Sequence, residues 1–328
     1  MAWTHASGAL RADVAGCDNR GMSALALSLV LAAALIHASW NLIAKKSGGD
    51  TRFALITGLT NALVWAPAGA WFGWQELGGY GVTQWLLILA SAVLHTLYFV
   101  TLLRGYRHGD LTVVYPLARG SAPLVTAMCA TLFMGEVLGL GGWLGLSGIV
   151  AGIVLIAGGP AMLRSLFAAA PLHDGEAARV QRERLRAGVG YGLLTGLFIA
   201  GYSVIDGYAV KHAGMSPVAL DYFGNLARLP MVLLLVIAVG GMAAVPDRAY
   251  LKQVWKPALL IGAVAPVGYV MVLYAVQIAP LSRVAPAREV SMLFAALMGG
   301  VLLGERDRAA RLCGAACIAA GVVALAWQ

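Results

Sequence analysis

The chain has 328 residues, of which 60% are hydrophobic and only 12% are charged. This composition excludes an ordinary water-soluble domain, so the formal net charge of +8 indicates basic loops beside a lipid bilayer and no nucleic-acid partner. Continuous apolar runs recur along the chain, and each reaches the roughly 20 residues that a helix needs to cross the hydrocarbon layer. We therefore predict an all-α polytopic membrane protein, multi-pass in the cell inner (plasma) membrane.

Ten transmembrane helices are predicted from these runs. They cover residues 23–44, 53–73, 83–104, 112–134, 139–162, 188–210, 217–240, 256–277, 281–303 and 308–327. The polar residues 1–21 are predicted to form a disordered or untranslated tail, because Met22 is an alternative start. A basic linker at residues 164–187 separates two five-helix halves, 22–163 and 188–328.

The two halves contain a similar segment at matching places. Tyr115–Pro123 places a proline and Arg119 inside an apolar run, and Val284–Ser291 does the same with Arg288. Each segment continues through apolar residues to a Gly-Glu pair, which ends at Glu136 in the first half and at Glu305 in the second. An internal repeat of five helices must cross the membrane in opposite directions in the two halves, so we predict inverted repeats.

The charges of equivalent loops agree with this inversion. The loop between spans 1 and 2 contains Lys45, Lys46 and Arg52, whereas its counterpart between spans 6 and 7 contains only Lys211. Most of the 23 Lys and Arg residues fall on one side of the predicted bundle, together with the basic linker. The positive-inside rule then predicts a cytoplasmic linker and two termini outside the cytoplasm.

Polar side chains within the spans are predicted to face the bundle interior, because a charge against hydrocarbon costs at least about 2.5 kcal/mol. Arg119 and Arg288 are the leading candidates for binding a solute, since the guanidinium fork suits a carboxylate or phosphonate. The other candidate solute contacts are His37, Trp40, Asn41, His95, Tyr98, Tyr202 and Arg228. Asp221 and Glu289 are the candidate proton-coupling residues.

Three arginines in the spans face three carboxylates, so complete internal pairing is the alternative to an anion site. Asp221 and Arg228 are two turns apart, slightly far for a direct bond, and the neighbours Arg288 and Glu289 are expected to find separate partners on a regular helix. Asp206 lies near the end of its span, where loop solvent would wet it. Glu136 and Glu305 are assigned structural roles at helix ends.

Glycines recur at four-residue spacing in spans 5 and 6, at positions 141, 145, 148, 152, 192 and 196. Such spacing lets helices approach closely, and we assign these glycines to packing within one subunit, with a homodimer interface as the alternative.

No cofactor, metal site or catalytic residue is predicted. The chain has no histidine spacing typical of zinc sites and no Walker-type phosphate loop. We therefore predict a secondary transporter, not an enzyme, that moves a small polar solute by alternating access with a proton as a candidate coupling ion. An intramembrane enzyme using His37, His95 and Asp206 is the alternative, although no nucleophile motif supports it.

The paired Pro-Arg to Gly-Glu runs, 116–136 and 286–305, resemble the repeats of EamA-type permeases of the drug/metabolite transporter superfamily. The resemblance spans residues 22–327 and implies a ten-helix fold of two inverted repeats that transports small polar metabolites such as amino acids. The segment from His37 to Lys45 is similar to a subgroup linked to phosphonate utilisation. The resemblance also implies cytoplasmic termini, whereas the loop charges predict the opposite orientation.

Overall fold

The structure, a computed structural model, describes residues 22–47, 50–109, 111–156, 176–294 and 308–327. The described chain is helical, with α1 (Ala24–Lys46), α2 (Thr51–Val64), α3 (Ala66–Glu76), α4 (Val82–His108), α5 (Leu111–Phe133), α6 (Leu140–Ile156), α7 (Glu176–Lys211), α8 (Pro217–Gly240), α9 (Arg248–Ile278), α10 (Leu281–Ala287) and α11 (Arg308–Ala326). The predicted tail at 1–21, the linker residues 164–175, the end of the ninth span at 295–303 and Glu305 lie outside the described residues.

Hydrophobic length identifies several of these helices as membrane spans. Helices α1, α4, α7, α8 and α9 are each long and apolar enough to cross a bilayer, and α2 with α3 forms a sixth span bent by 62°. Helices α6 and α11 contain shorter apolar stretches. The predicted all-α polytopic membrane fold is confirmed.

The second span is bent where the sequence predicted one straight helix at 53–73. Helix α2 ends before Trp65, and Pro67 lies in the first turn of α3. Proline suits a first helical turn but cannot donate a backbone hydrogen bond to a continuing helix. The Trp65 Nε1–H donates to the Ala263 carbonyl of α9 at 3.1 Å, which fixes the bend against a neighbouring span.

The ninth span is interrupted at its two charged residues. Helix α10 ends at Ala287, Arg288 and Glu289 form a turn, and the chain is helical again from Val290. Pro286 removes one N–H from the helical ladder, and Glu289 N–H instead donates to the Pro286 carbonyl in a tighter three-residue turn. The predicted span at 281–303 therefore begins with the short helix α10 and a turn.

Helix α7 begins at Glu176, well before the predicted start at residue 188. Three of the linker arginines therefore lie on an exposed first part of this helix, at positions 179, 184 and 186. Arg179 pairs with Glu183 one turn later at 3.8 Å. This basic segment is an extension of the sixth span, not a loop.

The helix contacts follow a two-fold pattern between the halves. Helix α1 packs on α9 as α7 packs on α4, and α2 packs on α9 as α8 packs on α4. Helix α5 contacts α7 as α10 contacts α1, while α6 with α11 and α5 with α10 pair equivalent helices. The first span of each half thus packs against the third span of the other half. Two inverted five-span repeats are expected to give such a pattern.

Small residues hold the equivalent helices α6 and α11 together. A Cβ atom added at Gly152 would lie 2.5 Å from the Gly314 carbonyl oxygen, so these backbones are in direct contact. Gly192 and Gly196 likewise lie against α5. Gly152, Gly192 and Gly196 thus pack against helices of the same chain.

Candidate functional site

Arg119 connects the two halves of the molecule inside the bundle. From α5 its Nη2 donates to His37 Nε2 on α1 at 2.8 Å, and its Nη1 lies 3.6 Å from Glu289 Oε2 in the second half. The Arg119 side chain is 15% exposed and Glu289 is 1% exposed, so this ion pair is largely removed from solvent. The structure thus brings together three of the predicted site residues.

Glu289 also lies beside a second guanidinium. Arg288 Nε is 3.9 Å from Glu289 Oε1, and the Arg288 side chain is 11% exposed. The expectation of separate partners for these neighbours was wrong, because the break after α10 replaces regular helical spacing with a turn. Arg288 Nε and Glu289 Oε2 have no hydrogen-bond partner among the described residues. One carboxylate therefore serves two guanidinium groups through ion pairs too long for hydrogen bonds.

A second polar cluster lies on α4, α7 and α9. His95 stacks on Tyr202 with ring centroids 3.7 Å apart, and the rings of Tyr98 and Tyr269 meet His95 edge-on at 6.5 and 5.8 Å. His95 Nδ1 also lies 2.9 Å from the Ser91 carbonyl one turn earlier. Two predicted solute contacts of the first half thus pack against two tyrosines of the second half.

Asp206 also belongs to this second cluster, whereas the sequence analysis placed it beside a loop. It is 1% exposed and accepts a hydrogen bond from the Tyr269 hydroxyl. The prediction that a loop wets this carboxylate was wrong, because neighbouring helices enclose it even though α7 ends at Lys211, one residue beyond the predicted end of the span. Its four-residue offset from Tyr202, one turn of the same helix, was the available sequence signal.

Asp221 and Arg228 form a direct ion pair along α8. Arg228 Nη2 lies 3.9 Å from Asp221 Oδ1, and the Asp221 side chain is 9% exposed. The sequence placed these groups slightly too far apart for a bond, but the long arginine side chain spans the two turns.

Trp40 and Asn41 are arranged differently from the other candidates. The Trp40 ring meets His37 edge-on at 5.0 Å, which places it beside the Arg119 partner. Asn41 Nδ2 donates to the His37 carbonyl at 2.7 Å, so one of its two donors is used within its own helix. Trp40 therefore adjoins the arginine cluster, and Asn41 supports α1.

Glu136 has the structural role that the sequence assigned to it. Its carboxylate accepts the backbone N–H groups of Leu281 and Ser282 at 2.8 Å each, at the start of α10. Lys211 at the end of α7 donates to the same carboxylate at 3.2 Å. Negative charge at a helix start and a buried cation partner both favour this arrangement. Glu136 thus fixes the start of the helix that leads to Arg288.

A separate cavity of about 370 Å³ lies at the basic end of the bundle between α2, α4 and α8. Asp50, Arg52, Tyr106 and Arg107 line it together with apolar residues. Burial alone would raise the pKa of Asp50, but hydrogen bonds from the Phe53 N–H, Tyr250 and Arg52 lower it below its ordinary value. None of the predicted site residues lines this cavity.

The arrangement is suited to binding charge. No group of three or more metal-ligating side chains occurs in the part of the chain that the structure describes. His37 accepts a hydrogen bond from Arg119, and His95 Nδ1 lies 2.9 Å from the Ser91 carbonyl and 3.3 Å from the Ser91 hydroxyl. Two guanidinium groups and a shared carboxylate at the boundary of two repeats are suited to binding a small anionic group.

The fold and this buried charge cluster define a polytopic membrane transporter built from two repeats. Residues 24–158 and 186–327 each match the EamA-like transporter family, and the chain belongs to that family. A solved crystal structure superposes with a TM-score of 0.66 over 92% of this chain and 96% of that chain at 16% sequence identity, which shows a shared fold. No curated protein sequence matches the chain significantly.

Proposed function

We propose that the protein is a secondary transporter of a small solute that carries an anionic group. Amino acids and other zwitterions belong to this class. It would act in the inner membrane by alternating access. The observation that carries the proposal is that Arg119 and Arg288 share the single carboxylate of Glu289. Among the described residues the cluster therefore has one positive charge in excess, and Arg288 Nε has no hydrogen-bond acceptor. A carboxylate or phosphonate from a solute would supply both the charge and the acceptor.

The position of the cluster supports alternating access. His37 and Arg119 belong to the first repeat, whereas Arg288 and Glu289 belong to the second. When one repeat rotates against the other, the distance between Arg119 and Glu289 changes, so the binding of a solute at this boundary is sensitive to the rotation. The remaining solute contacts are proposed to be Trp40, Asn41, His95, Tyr98, Tyr202 and Arg228.

Coupling to protons follows from competition between the solute and Glu289. An anionic solute that binds Arg119 and Arg288 draws their positive charge away from the glutamate. A buried carboxylate without its counter-charges is neutralised by taking a proton. Glu289 would thus bind a proton as the anion binds, and Asp221 would respond in the same way when Arg228 is drawn towards the solute.

The residues from His37 to Lys45 favour a phosphonate as one candidate solute, because they resemble a subgroup linked to phosphonate utilisation. Phosphonates and carboxylates offer the same oxygen acceptors to a guanidinium fork. Solutes of both classes are therefore tested below. The enzyme alternative predicts that a solute is chemically converted and not transported.

Purified protein in liposomes preloaded with unlabelled solute tests the proposal. The panel consists of radiolabelled amino acids and aminomethylphosphonate, each assayed for counterflow and analysed afterwards by mass spectrometry. We expect at least one panel member to accumulate by counterflow without chemical change. A converted product with no counterflow would contradict the permease proposal and favour the enzyme.

A further inference from the structure

Asp206 is the one carboxylate of the described bundle interior that has no cationic partner. Glu289 lies beside two arginines and Asp221 lies beside Arg228, each within 4.0 Å. Asp206 has no such neighbour in the described part of the chain and is 1% exposed. The Tyr269 hydroxyl donates a hydrogen bond to its Oδ2, the Ser91 hydroxyl lies close enough to interact with the carboxylate, and Oδ1 has no hydrogen-bond partner by distance among the described residues.

The charged groups around Asp206 are already engaged elsewhere. Arg228 and Asp221 act on it from α8 but pair with each other at 3.9 Å. Arg288 acts on it from beyond α10 and lies beside Glu289.

The uncharged polar groups around Asp206 come from the helices on either side of α7. The Ser91 hydroxyl approaches from α4 and the Tyr269 hydroxyl from α9, and the His95 ring of α4 lies against the Tyr269 ring at 5.8 Å. On α5, Arg119 donates to His37 and lies beside Glu289. No side chain among these neutralises the Asp206 carboxylate.

An unpaired carboxylate at this depth costs several kilocalories per mole in its ionised form, whereas the protonated form is tolerated. The packing around it favours a proton over a larger cation. Tyr269 covers Oδ2, and the Tyr269 ring itself packs against the rings of His95 and Tyr202, with centroids 5.8 and 6.5 Å away. A metal ion or a solute ammonium group needs several ligands and a volume of its own, while a proton needs only a carboxylate oxygen and a donor chain.

We propose that Asp206 is a proton-binding site of the transport cycle, with the Tyr269 hydroxyl as the group that stabilises its ionised form. The inference rests on the proposed transport function and adds a third carboxyl group to Asp221 and Glu289. One proton binds to a carboxylate oxygen of Asp206 while the cluster is accessible from one side of the membrane. The same O–H bond breaks, and the proton leaves, when the cluster is accessible from the other side. His95 of the first repeat packs against this second-repeat group, so the rotation between repeats changes its surroundings.

Infrared difference spectroscopy of the purified protein tests this site without a known solute. Spectra are recorded during a pH titration of the wild type, Asp206→Asn, Asp221→Asn and Glu289→Gln. We expect a protonated-carboxyl C=O band, at the high frequency typical of an apolar environment, that is absent in Asp206→Asn and retained in the other two variants. A band that survives Asp206→Asn overturns the proposal.

Tyr269→Phe provides a second test if Asp206→Asn does not fold, as judged by size-exclusion elution. A protonated carboxyl group still accepts hydrogen bonds at its C=O, so loss of the tyrosine hydroxyl raises the frequency of the Asp206 band. A band that is unchanged in Tyr269→Phe contradicts the assignment. Because this band does not depend on flux, a protein that shows it but carries no panel solute would refute the transport function and leave the proton site standing.

Discussion

At the residue scale, Glu289 determines how the arginine cluster responds to a solute. Its carboxylate occupies the position between Arg119 and Arg288 that an anionic solute would take. If the proposed solute binds here, Glu289 and the solute anion compete for the same two guanidinium groups. We then expect the affinity for the solute to depend on the charge of Glu289.

Replacing Glu289 with glutamine removes the competing charge while keeping the shape of the side chain. We expect the half-saturating concentration of the transported panel solute to fall by about tenfold or more, because each 1.4 kcal/mol of released ion-pair energy corresponds to a factor of ten. We also expect this concentration to lose its pH dependence. Counterflow measured at several pH values checks both effects.

Asp221→Asn is the companion variant, since it removes the carboxylate that pairs with Arg228 at 3.9 Å. It should also flatten the pH profile of flux. Folded Glu289→Gln protein with wild-type affinity and a wild-type pH profile would exclude competition at the arginine cluster.

Sequence reasoning located the polar residues of the site but not their partners. Helical spacing placed His37 with Trp40, and the repeat identified Arg119 and Arg288. The two misjudged cases have different causes: packing of neighbouring helices encloses Asp206, and a helix break brings Arg288 beside Glu289. Hydropathy does not predict such packing or breaks, and the contact of Arg119 with Glu289 joins residues far apart in the chain, which no local pattern encodes.

At the element scale, proline shows why spans are easier to predict than their shapes. Helix α5 continues through Pro116 and Pro123, whereas the second and ninth spans are interrupted near Pro67 and Pro286. A proline removes one backbone donor in every case, and the neighbouring helices decide whether the freed carbonyl is satisfied in place. Composition therefore predicts the number of spans, and tertiary packing decides which of them bend.

The contact between α6 and α11 offers a matched pair of glycine variants. A methyl group on Gly152 would meet the Gly314 carbonyl oxygen at 2.5 Å and the Ile318 backbone nitrogen at 3.0 Å, and neither backbone atom can move aside cheaply. A methyl group on Gly148 would lie 3.6 Å from the nearest such atom, the Cys317 carbonyl oxygen. The two sites lie on one helix and differ only in clearance.

We expect Gly152→Ala to destabilise the protein by about 1–3 kcal/mol through overpacking, while Gly148→Ala is neutral or slightly stabilising. Thermal unfolding in detergent, followed by the loss of monodisperse protein, measures the difference between the two variants. Equal unfolding temperatures for both would show that α6 and α11 do not meet at these glycines.

At the scale of the whole molecule, both polar clusters are built from the two repeats together. Arg119 of the first half faces Glu289 of the second, and His95 of the first half stacks on Tyr202 of the second. The contact of Glu136 with the start of α10 joins the same halves near one end of the bundle. The repeat itself was predictable from the sequence, because two similar segments recur in order and the family match covers both.

The charged groups at the boundary between the repeats are proposed to bind the solute, and this proposal is the central one to test. Arg119 is the residue to change, because it belongs to one repeat and pairs with a carboxylate of the other. Arg184→Ala is the matched control, since Arg184 lies on the exposed first part of α7. Arg119→Lys keeps the positive charge but not the planar fork of donors.

The most direct measurement is therefore counterflow of the transported panel solute in liposomes containing wild type, Arg119→Ala, Arg119→Lys or Arg184→Ala, each first shown to be monodisperse. We predict that Arg119→Ala falls to the level of protein-free liposomes, that Arg119→Lys is strongly reduced, and that Arg184→Ala retains wild-type flux. Wild-type flux in folded Arg119→Ala protein would contradict the account and leave the buried arginine as a structural charge.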